Sequence, residues 1–222
     1  MNVVLREFGQ VDYTTCWAAM KAFTACREPG DSDELWTVEH PAVFTLGRAG
    51  KPEHVLMAGD IPVIRSDRGG QVTYHGPGQQ VVYTLLDVRR AGLGPRELVR
   101  RLEQGVIDCL AEYAVHAERR PGAPGVYVGA AKLAALGLRI RGAYTYHGLA
   151  LNVAMDLEPF ARINPCGYAG LAVTSLEHLA GPLDAARVRT ALVDHLCRNL
   201  YPQQDIRLVG ETPAVLADVD AP

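Results

Sequence analysis

The chain has 222 residues, of which 48% are apolar, 21% charged and 7% aromatic, and its formal net charge is −3. This composition is typical of a folded globular protein and excludes a disordered chain or a coiled coil. No stretch approaches the roughly 18 consecutive apolar residues that a membrane span requires. The N-terminal ten residues lack the basic and apolar segments of a secretory signal. We therefore expect a cytoplasmic protein that binds neither membrane nor, given its acidic balance, nucleic acid.

The N-terminal half predicts one helix followed by short strands. The helix covers 12–26, with Asp12 as a possible N-cap and apolar residues at three-to-four spacing. Beyond it the apolar period falls to two, which is typical of strands. The strands are expected at 35–39, 43–46, 61–66, 71–75 and 80–86.

The C-terminal half predicts two further helices around the longest strands. The helices cover 95–114, with Pro95 in the first turn, and about 184–200, with Asp184 as its cap. Strands are expected at 126–128, 132–140, 146–154 and 171–176, with a hairpin connection at 141–143. The pattern predicts an α+β fold with a mixed, largely antiparallel sheet flanked by helices. We expect one domain over 1–202 and a loose C-terminal tail over 203–222.

The five cysteines form no CxxC motif, and the seven histidines form no Cys/His cluster. This usage indicates a reducing compartment and predicts no bound metal. Cys16, Cys109 and Cys197 fall on or beside apolar helix faces, where a buried cysteine behaves as a small hydrophobic residue.

A glycine-rich segment, RGGQVTYHGPGQ, covers residues 68–79. Its glycines suit a backbone that turns sharply or lies close to a ligand, although a simple turn between strands needs them too. It contains neither GxxxxGK[ST] nor a GxGxxG that opens a helix, so it is not a known phosphate-binding loop. Arg68, Tyr74 and His75 add polar groups beside this wall of glycine, which could admit a slim ligand.

Two residues further along the chain are candidate catalytic groups. Lys132, one of only three lysines, lies in the apolar stretch GAAKLAALGL. It could extend to solvent, or it could be buried, and burial would favour loss of its proton near neutral pH. Cys166 lies in the loop NPCG, where its sulfur can be exposed, and a nearby cation would increase its reactive thiolate fraction.

The strand around 146–154 supplies a third candidate group. His147 could serve as a base for Cys166 or as a hydrogen-bonded structural residue. Gly148 and Ala150 leave space on one strand face, which is consistent with a narrow apolar slot.

Several of these segments together resemble one enzyme family. RGGQVTYHGPGQ at 68–79, GVYVGAAKLAALGLRI at 125–140, HGLALNV at 147–153 and NPCG at 164–167 closely resemble the octanoyltransferases of lipoate biosynthesis. VEHPAVFTLGRAGKPEHVL at 38–56 resembles that family too. The order and spacing of the motifs are kept over about 35–180.

The resemblance implies a biotin/lipoyl protein ligase-like fold and an acyltransferase activity. The enzyme would move an octanoyl group from octanoyl-acyl carrier protein to a lysine of lipoyl domains of 2-oxoacid dehydrogenase complexes and the glycine cleavage H protein. Cys166 would carry the acyl group as a thioester and Lys132 would activate it, with His147 in support. No ATP or metal would be needed, and the protein would act as a monomer. The implied substrate-binding residues are Arg68, Gly69, Gly70, Gln71, Val72, Thr73, Tyr74, His75, Ala135, Leu136, Gly137, Gly148, Leu149 and Ala150.

Two other functions remain open from the sequence. An ATP-dependent lipoate-protein ligase shares the implied fold but needs no nucleophilic cysteine. A non-catalytic protein that binds the acyl carrier or lipoyl domain would never become acylated. Because both protein partners are usually acidic, we also expect a local basic docking patch on this acidic chain. Its candidate residues are Arg65, Arg68, Arg89, Arg90, Arg96, Arg139 and Arg141.

Overall fold

The computed structural model describes residues 2–204 and 206–211. Within them the elements follow the chain as β1 (Asn2–Gln10), α1 (Tyr13–Cys26), β2 (Asp33–Glu39), β3 (Val43–Leu46), β4 (Val63–Arg65), β5 (Val72–His75), β6 (Gln79–Leu85), α2 (Pro95–Ala111), β7 (Val126–Val128), β8 (Ala131–Arg141), β9 (Tyr144–Asn152), α3 (Leu176–Ala180), α4 (Ala185–Leu200) and β10 (Arg207–Glu211). No helix in this part of the chain is long and apolar enough to cross a membrane.

The strands form a large mixed sheet and a small one. The large sheet has the order β10-β1-β2-β6-β9-β8-β7, and the small sheet has the order β4-β3-β5. In the large sheet β1 runs parallel to β2 and β10, and the other pairs are antiparallel. The central strands β6 and β9 are therefore hydrogen-bonded to a neighbouring strand on each edge. This pairing holds the backbone of the strand residues that form the site in place.

Helices cover both faces of the large sheet. On one face α2 and α4 bury Leu98, Leu102 and Leu192 against sheet residues such as Leu149 and Leu151. On the other face Cys16 and Met20 of α1 pack against Trp36, Tyr146 and Ala150. Successive strand residues point to opposite faces, so β9 supplies side chains to both cores. The α+β fold with a mixed sheet flanked by helices is thus confirmed.

The predicted helices and most predicted strands are present. Asp12 and Asp184 accept backbone hydrogen bonds as the N-caps of α1 and α4, as predicted. The predicted strand at 171–176 is wrong: its one pairing is an isolated parallel bridge between Lys132 and Val173. Ser175 then caps α3, so the chain turns into a helix before a second pair can form.

Both chain ends contribute strands that the sequence analysis did not assign. β1 pairs with β2 along a parallel register. β10, which lies in the segment expected to be a loose tail, pairs in parallel with β1 from Arg207 to Glu211. The rest of the expected tail, 212–222, lies outside the described residues.

Candidate active site

Lys132 and Cys166, 34 residues apart in sequence, are brought into contact by a short backbone bridge. The Lys132 N–H donates to Ala172 O at 2.8 Å, and the Thr174 N–H donates to Lys132 O at 3.0 Å. These bonds hold the segment that follows Cys166 against the start of β8. The Lys132 ammonium then donates a 3.0 Å hydrogen bond to Cys166 Sγ.

The Cys166 loop has a strained backbone. Cys166 lies in the 3-10 turn Pro165–Gly167 with φ 57° and ψ 16°. Left-handed backbone costs an L-residue about 1–2 kcal/mol. Among the described non-glycine residues it is shared only by Ala114 and His147. Such strain persists where surrounding contacts enforce it, and it is concentrated at functional sites.

Lys132 is buried, with only 5% of its surface exposed, yet its charge has partners. Its ammonium also donates to Pro124 O at 3.0 Å and lies 5.2 Å from the centre of the Tyr127 ring. Burial is the largest influence and opposes the charged form, but the interactions with Cys166 and with Tyr127 together outweigh it and raise the pKa of Lys132 above its usual value. The expectation that burial alone would bring this ammonium towards neutrality is therefore wrong for the free protein.

Two cavities meet at Cys166. An inner cavity of about 50 Å³ runs between β5, β6, β8 and β9. An outer cavity of about 440 Å³ is bordered by the start of α2, by 122–124 and by Tyr127, Lys132 and Tyr168. Both cavities are lined by Gly70, Gln71, Leu136, Gly137 and Cys166. The sulfur thus stands where a narrow slot joins a wider, solvent-facing space.

The inner cavity is lined by residues from four of the five segments that carry the family resemblance; the segment 38–56 contributes none. All the predicted substrate-binding residues except Gly69 and Tyr74 line it, as does His147. Gly69 lines the outer cavity instead. Two glycines of its wall pack closely against neighbouring backbone: a Cβ at Gly137 would lie 2.8 Å from Gly69 O, and one at Gly148 would lie 2.0 Å from Val82 O.

Two of the predicted site residues have other surroundings than expected. Tyr74 packs against Phe44 and Phe160 beneath the small sheet, because strand alternation turns it away from His75. The Arg68 guanidinium is buried and donates to the carbonyls of Gly69, Gln71 and Thr45. Arg68 thus stabilises the glycine turn, and its guanidinium does not form part of a docking patch.

The inner cavity contains two buried histidines with fixed orientations. Gln79 Oε1 accepts from Nδ1 of His75 at 2.7 Å, and Asp67 Oδ1 accepts from Nε2 of His147 at 2.9 Å. Burial, aided by the neighbours His40 and Arg68, lowers the pKa of His75 well below its usual value. Burial also lowers the pKa of His147 despite the Asp67 hydrogen bond. Both rings are therefore neutral near pH 7, and the structure gives His147 no hydrogen bond to Cys166.

Several site residues escaped the sequence analysis. Tyr13, Val81 and Tyr83 line the inner cavity, and Tyr127 lies beside the Lys132 ammonium. Asp67 accepts hydrogen bonds from Trp17, Tyr146 and His147. Only Asp67 gave a usable signal, as a carboxylate directly before the glycine-rich segment.

The three helix cysteines are buried, as predicted. Burial raises the pKa of Cys16, Cys109 and Cys197 to about 12 in each case. They are therefore unreactive thiols, unlike the partly exposed Cys166. Over the described ranges, no group of three or more His, Cys, Asp or Glu side chains is arranged to hold a metal ion.

Comparison with known proteins identifies the class first. The family model of the Lipoyl protein ligase A/B catalytic domain matches residues 12–197. That range includes all the residues that line the two cavities, among them Lys132 and Cys166. The fold and site are those of a lipoyl protein ligase A/B catalytic domain.

Close relatives then define the family. An octanoyltransferase of Stutzerimonas stutzeri is 60% identical over 209 residues, covering 94% of this chain and 95% of that protein. One from Xanthomonas axonopodis pv. citri is 56% identical over 218 residues, covering 98% and 91%. The chain belongs to the octanoyltransferase family, which is a family of acyltransferases. The resemblance found in the sequence motifs is confirmed.

Solved structures of low sequence identity share the fold. Lipoate-protein ligase A bound with ATP has a TM-score of 0.80 at 16% identity, covering 97% of this chain and 91% of that one. A bi-partite lipoate protein ligase from Thermoplasma acidophilum has a TM-score of 0.76 at 16% sequence identity, and the match covers 97% of this chain and 89% of that one. Biotin protein ligase from Aquifex aeolicus has a TM-score of 0.57 at 14% sequence identity, and the match covers 88% of this chain and 69% of that one. The predicted biotin/lipoyl protein ligase-like fold is confirmed.

Proposed function

We propose that this protein transfers an octanoyl group from octanoyl-acyl carrier protein to a lysine of a lipoyl domain, through a thioester on Cys166. The observation that carries the proposal is the 3.0 Å contact between the Lys132 ammonium and Cys166 Sγ at the junction of the two cavities. The inner cavity takes the acyl chain. The outer cavity takes, in turn, the phosphopantetheine arm and the acceptor lysine.

In the first step the Cys166 thiolate attacks the octanoyl carbonyl. The carbon–sulfur bond to phosphopantetheine breaks, and the leaving thiolate takes a proton from the Lys132 ammonium. One thioester replaces another, so the step is nearly isoenergetic and needs no ATP. Covalent catalysis divides one difficult acyl transfer into two easier steps.

In the second step Lys132 acts as a base. Once Cys166 is acylated it carries no charge, so its two contributions that raise the pKa of Lys132 are lost, whereas the smaller ones from Tyr127 and the opposing effect of burial remain. The pKa of Lys132 therefore falls on acylation. The neutral amine can then take a proton from the incoming lysine as that lysine forms the amide and releases Cys166.

The slot limits the acyl chain by shape. Each methylene contributes only about 0.8 kcal/mol of burial, so binding energy alone discriminates poorly between chain lengths. Ala135 and Ala150 face each other across the β8–β9 register and both line the inner cavity. Small residues on facing strands keep this slot open.

The structure leaves most of the candidate docking arginines accessible. Arg65, Arg89, Arg90, Arg96 and Arg141 are exposed, and Arg139 is half-buried. Arg90 also forms an ion pair with Asp33. Arg96 stands in the first turn of α2, next to Pro95 at the rim of the outer cavity. We propose that these exposed arginines receive acidic carrier proteins and lipoyl domains, including those of 2-oxoacid dehydrogenase complexes and the glycine cleavage H protein. The protein would work as a cytoplasmic monomer without ATP or metal.

A transfer assay with purified partners tests the function. Octanoyl-acyl carrier protein and an apo-lipoyl domain, without ATP and with EDTA, should give an octanoylated domain at a rate that falls as salt is raised. A small octanoyl thioester should show a weaker salt dependence, because it does not use the arginines. Transfer only from free octanoate with ATP would instead identify a lipoate-protein ligase. Binding of both partners without transfer would identify a non-catalytic binding protein.

A further inference from the structure

The wall of the inner cavity beyond Cys166 is polar and aromatic. Tyr13, His75, Tyr83 and His147 line the inner cavity, and none of them lines the outer one. Their rings pack side by side, with the His40 ring next to them. The centre of the His40 ring lies 5.8 Å from the ring centres of both His75 and Tyr83, and the Tyr83 ring centre lies 6.2 Å from that of His147. A slot built only for a hydrocarbon chain does not require imidazoles in its wall.

Hydrogen bonds fix the form of each imidazole. Gln79 Nε2 donates to Tyr74 O and Asn152 Oδ1, so Gln79 Oε1 is the atom that accepts from His75 Nδ1–H. In the same way the Asp67 carboxylate, which can only accept, receives His147 Nε2–H. Each neutral ring therefore presents its other nitrogen as an acceptor: Nε2 of His75 and Nδ1 of His147.

Neither acceptor nitrogen has a donor within the described protein. His75 is 6% exposed and His147 is 1% exposed, and both nitrogens are buried without a hydrogen-bond partner. His40 shows the satisfied arrangement: its Nδ1–H donates to Val11 O, and its Nε2 accepts from the Tyr83 hydroxyl at 2.6 Å. Buried acceptors are nearly always paired in folded proteins, so the two cavity imidazoles call for an outside donor.

We propose that His75 Nε2 and His147 Nδ1 form a polar subsite in the inner cavity that accepts a hydrogen bond from an O–H group. With octanoyl in place the donor is a water molecule. With an acyl group that carries a hydroxyl on its distal carbons, that hydroxyl replaces the water. The subsite rests on the proposed function, since the inner cavity is taken as the acyl site, and it extends the substrate class to distally hydroxylated medium-chain acyl groups.

Matched thioesters separate hydrogen bonding from size. 8-Hydroxyoctanoyl and nonanoyl groups have the same number of heavy atoms, as do 6-hydroxyoctanoyl and 6-methyloctanoyl. We expect wild-type protein to show, for at least one pair, a kcat/KM for the hydroxyl compound within about threefold of that for the methyl compound. A wild type that turns over both hydroxyl compounds at least tenfold more slowly than their methyl partners overturns the proposal.

Substitutions assign the effect to the imidazoles. His75→Phe and His147→Phe each keep a flat ring and remove the acceptor nitrogen. When His147 is replaced, the Asp67 carboxylate still accepts hydrogen bonds from Trp17 and Tyr146. At least one of the two variants should lower the hydroxyl-to-methyl ratio about tenfold or more, the effect of leaving a buried hydroxyl unpaired. Ratios unchanged in both folded variants overturn the proposal. Because each ratio is taken within one variant, a general loss of activity does not affect it.

Equilibrium binding separates this subsite from the catalytic proposal. Calorimetry with the N-methyl amides of 8-hydroxyoctanoate and nonanoate, and of the 6-substituted pair, requires no acyl transfer by wild-type protein. Binding of a hydroxyl amide at least as tight as its methyl partner supports the subsite even if octanoyl thioesters are not transferred. Tenfold weaker binding of both hydroxyl amides contradicts it even if transfer occurs.

Discussion

Gly125 offers a way to displace the Lys132 ammonium without altering either reactive side chain. Gly125 has φ +141°, and a Cβ added there would lie 2.7 Å from Lys132 Cε, 2.8 Å from the backbone oxygen of Ala134 and 3.0 Å from Lys132 Nζ. Carbon atoms in contact stay about 3.5–4.0 Å apart. In a Gly125→Ala variant the flexible end of Lys132 must therefore retreat by about 1 Å.

The expected effect follows from Coulomb's law. At an effective dielectric constant of about 20, opposite unit charges 3.0 Å apart attract by about 5.5 kcal/mol, and at 4.0 Å by about 4.2 kcal/mol. The difference of about 1.4 kcal/mol corresponds to a tenfold weaker interaction between the Lys132 ammonium and a negatively charged Cys166 sulfur. We therefore expect Gly125→Ala to slow acylation of Cys166 by about tenfold at neutral pH.

The assay is single-turnover acylation by octanoyl-pantetheine, followed by intact-protein mass. Carbamidomethylation by iodoacetamide provides a second rate, measured in a Cys26→Ser background because Cys26 is the exposed cysteine of the described chain. Gly129→Ala is the matched control. It places alanine at φ +53° with nothing within 4 Å, so it adds backbone strain without contact to Lys132.

Wild-type rates of acylation in both folded variants, Gly125→Ala and Gly129→Ala, would refute the reasoning. The position of the Lys132 ammonium would then have no influence on Cys166. A loss of rate in both variants to the same extent would assign the effect to backbone strain.

Three further predictions concern the slot and the core. Ala135→Val adds two methyl groups to the inner cavity, so it should displace about two methylenes of the chain, at about 0.8 kcal/mol each, and raise KM for octanoyl about 15-fold but not for butanoyl. Burial lowers the pKa of His40 to about 4, so the unfolded chain binds more protons below pH 6.5; the free energy of unfolding should fall by roughly 3 kcal/mol from this group as the pH is lowered from 7 to 4. Asp33→Ala removes the partner of the buried Arg27 guanidinium, 2.9 Å away, and should cost about 3–5 kcal/mol of stability in urea unfolding.

Each of these predictions has a result that would contradict it. An Ala135→Val protein that loses octanoyl and butanoyl activity equally would show general damage instead of a shortened slot. For the acid effect, the control is His40→Gln, which should lose less stability than the wild type between pH 7 and 4; equal losses would exclude His40 as the cause. Asp33→Ala fails as a prediction if urea midpoints differ by less than the equivalent of 1 kcal/mol.

Local patterns in the sequence predicted much of the fold. Helix caps at Asp12 and Asp184 and the hairpin at 141–143 depend on neighbouring residues, and the structure contains all three. The parallel pairing of β1 with β2 and β10 depends instead on contacts between distant segments. The segment 171–176 has the composition of a strand, but in the structure it forms only a single β-bridge, and Ser175 within it caps α3.

The site was predictable as a set of motifs but not as an arrangement. Strand period two implies that Tyr74 and His75 point opposite ways, yet it does not say which of them faces a cavity. The burial of Arg68 depends on three carbonyl groups that converge only in the folded turn. The Lys132 pKa depends on burial and on the opposing interactions with Cys166 and Tyr127, partners that no local pattern identifies.

The measurement that tests the account most directly is the intact mass of the protein after mixing with octanoyl-acyl carrier protein in the absence of ATP. We predict one octanoyl group on the wild type, none on Cys166→Ser, and its discharge when an apo-lipoyl domain is added. A lipoyl domain that becomes octanoylated at the wild-type rate by Cys166→Ser would contradict the thioester mechanism.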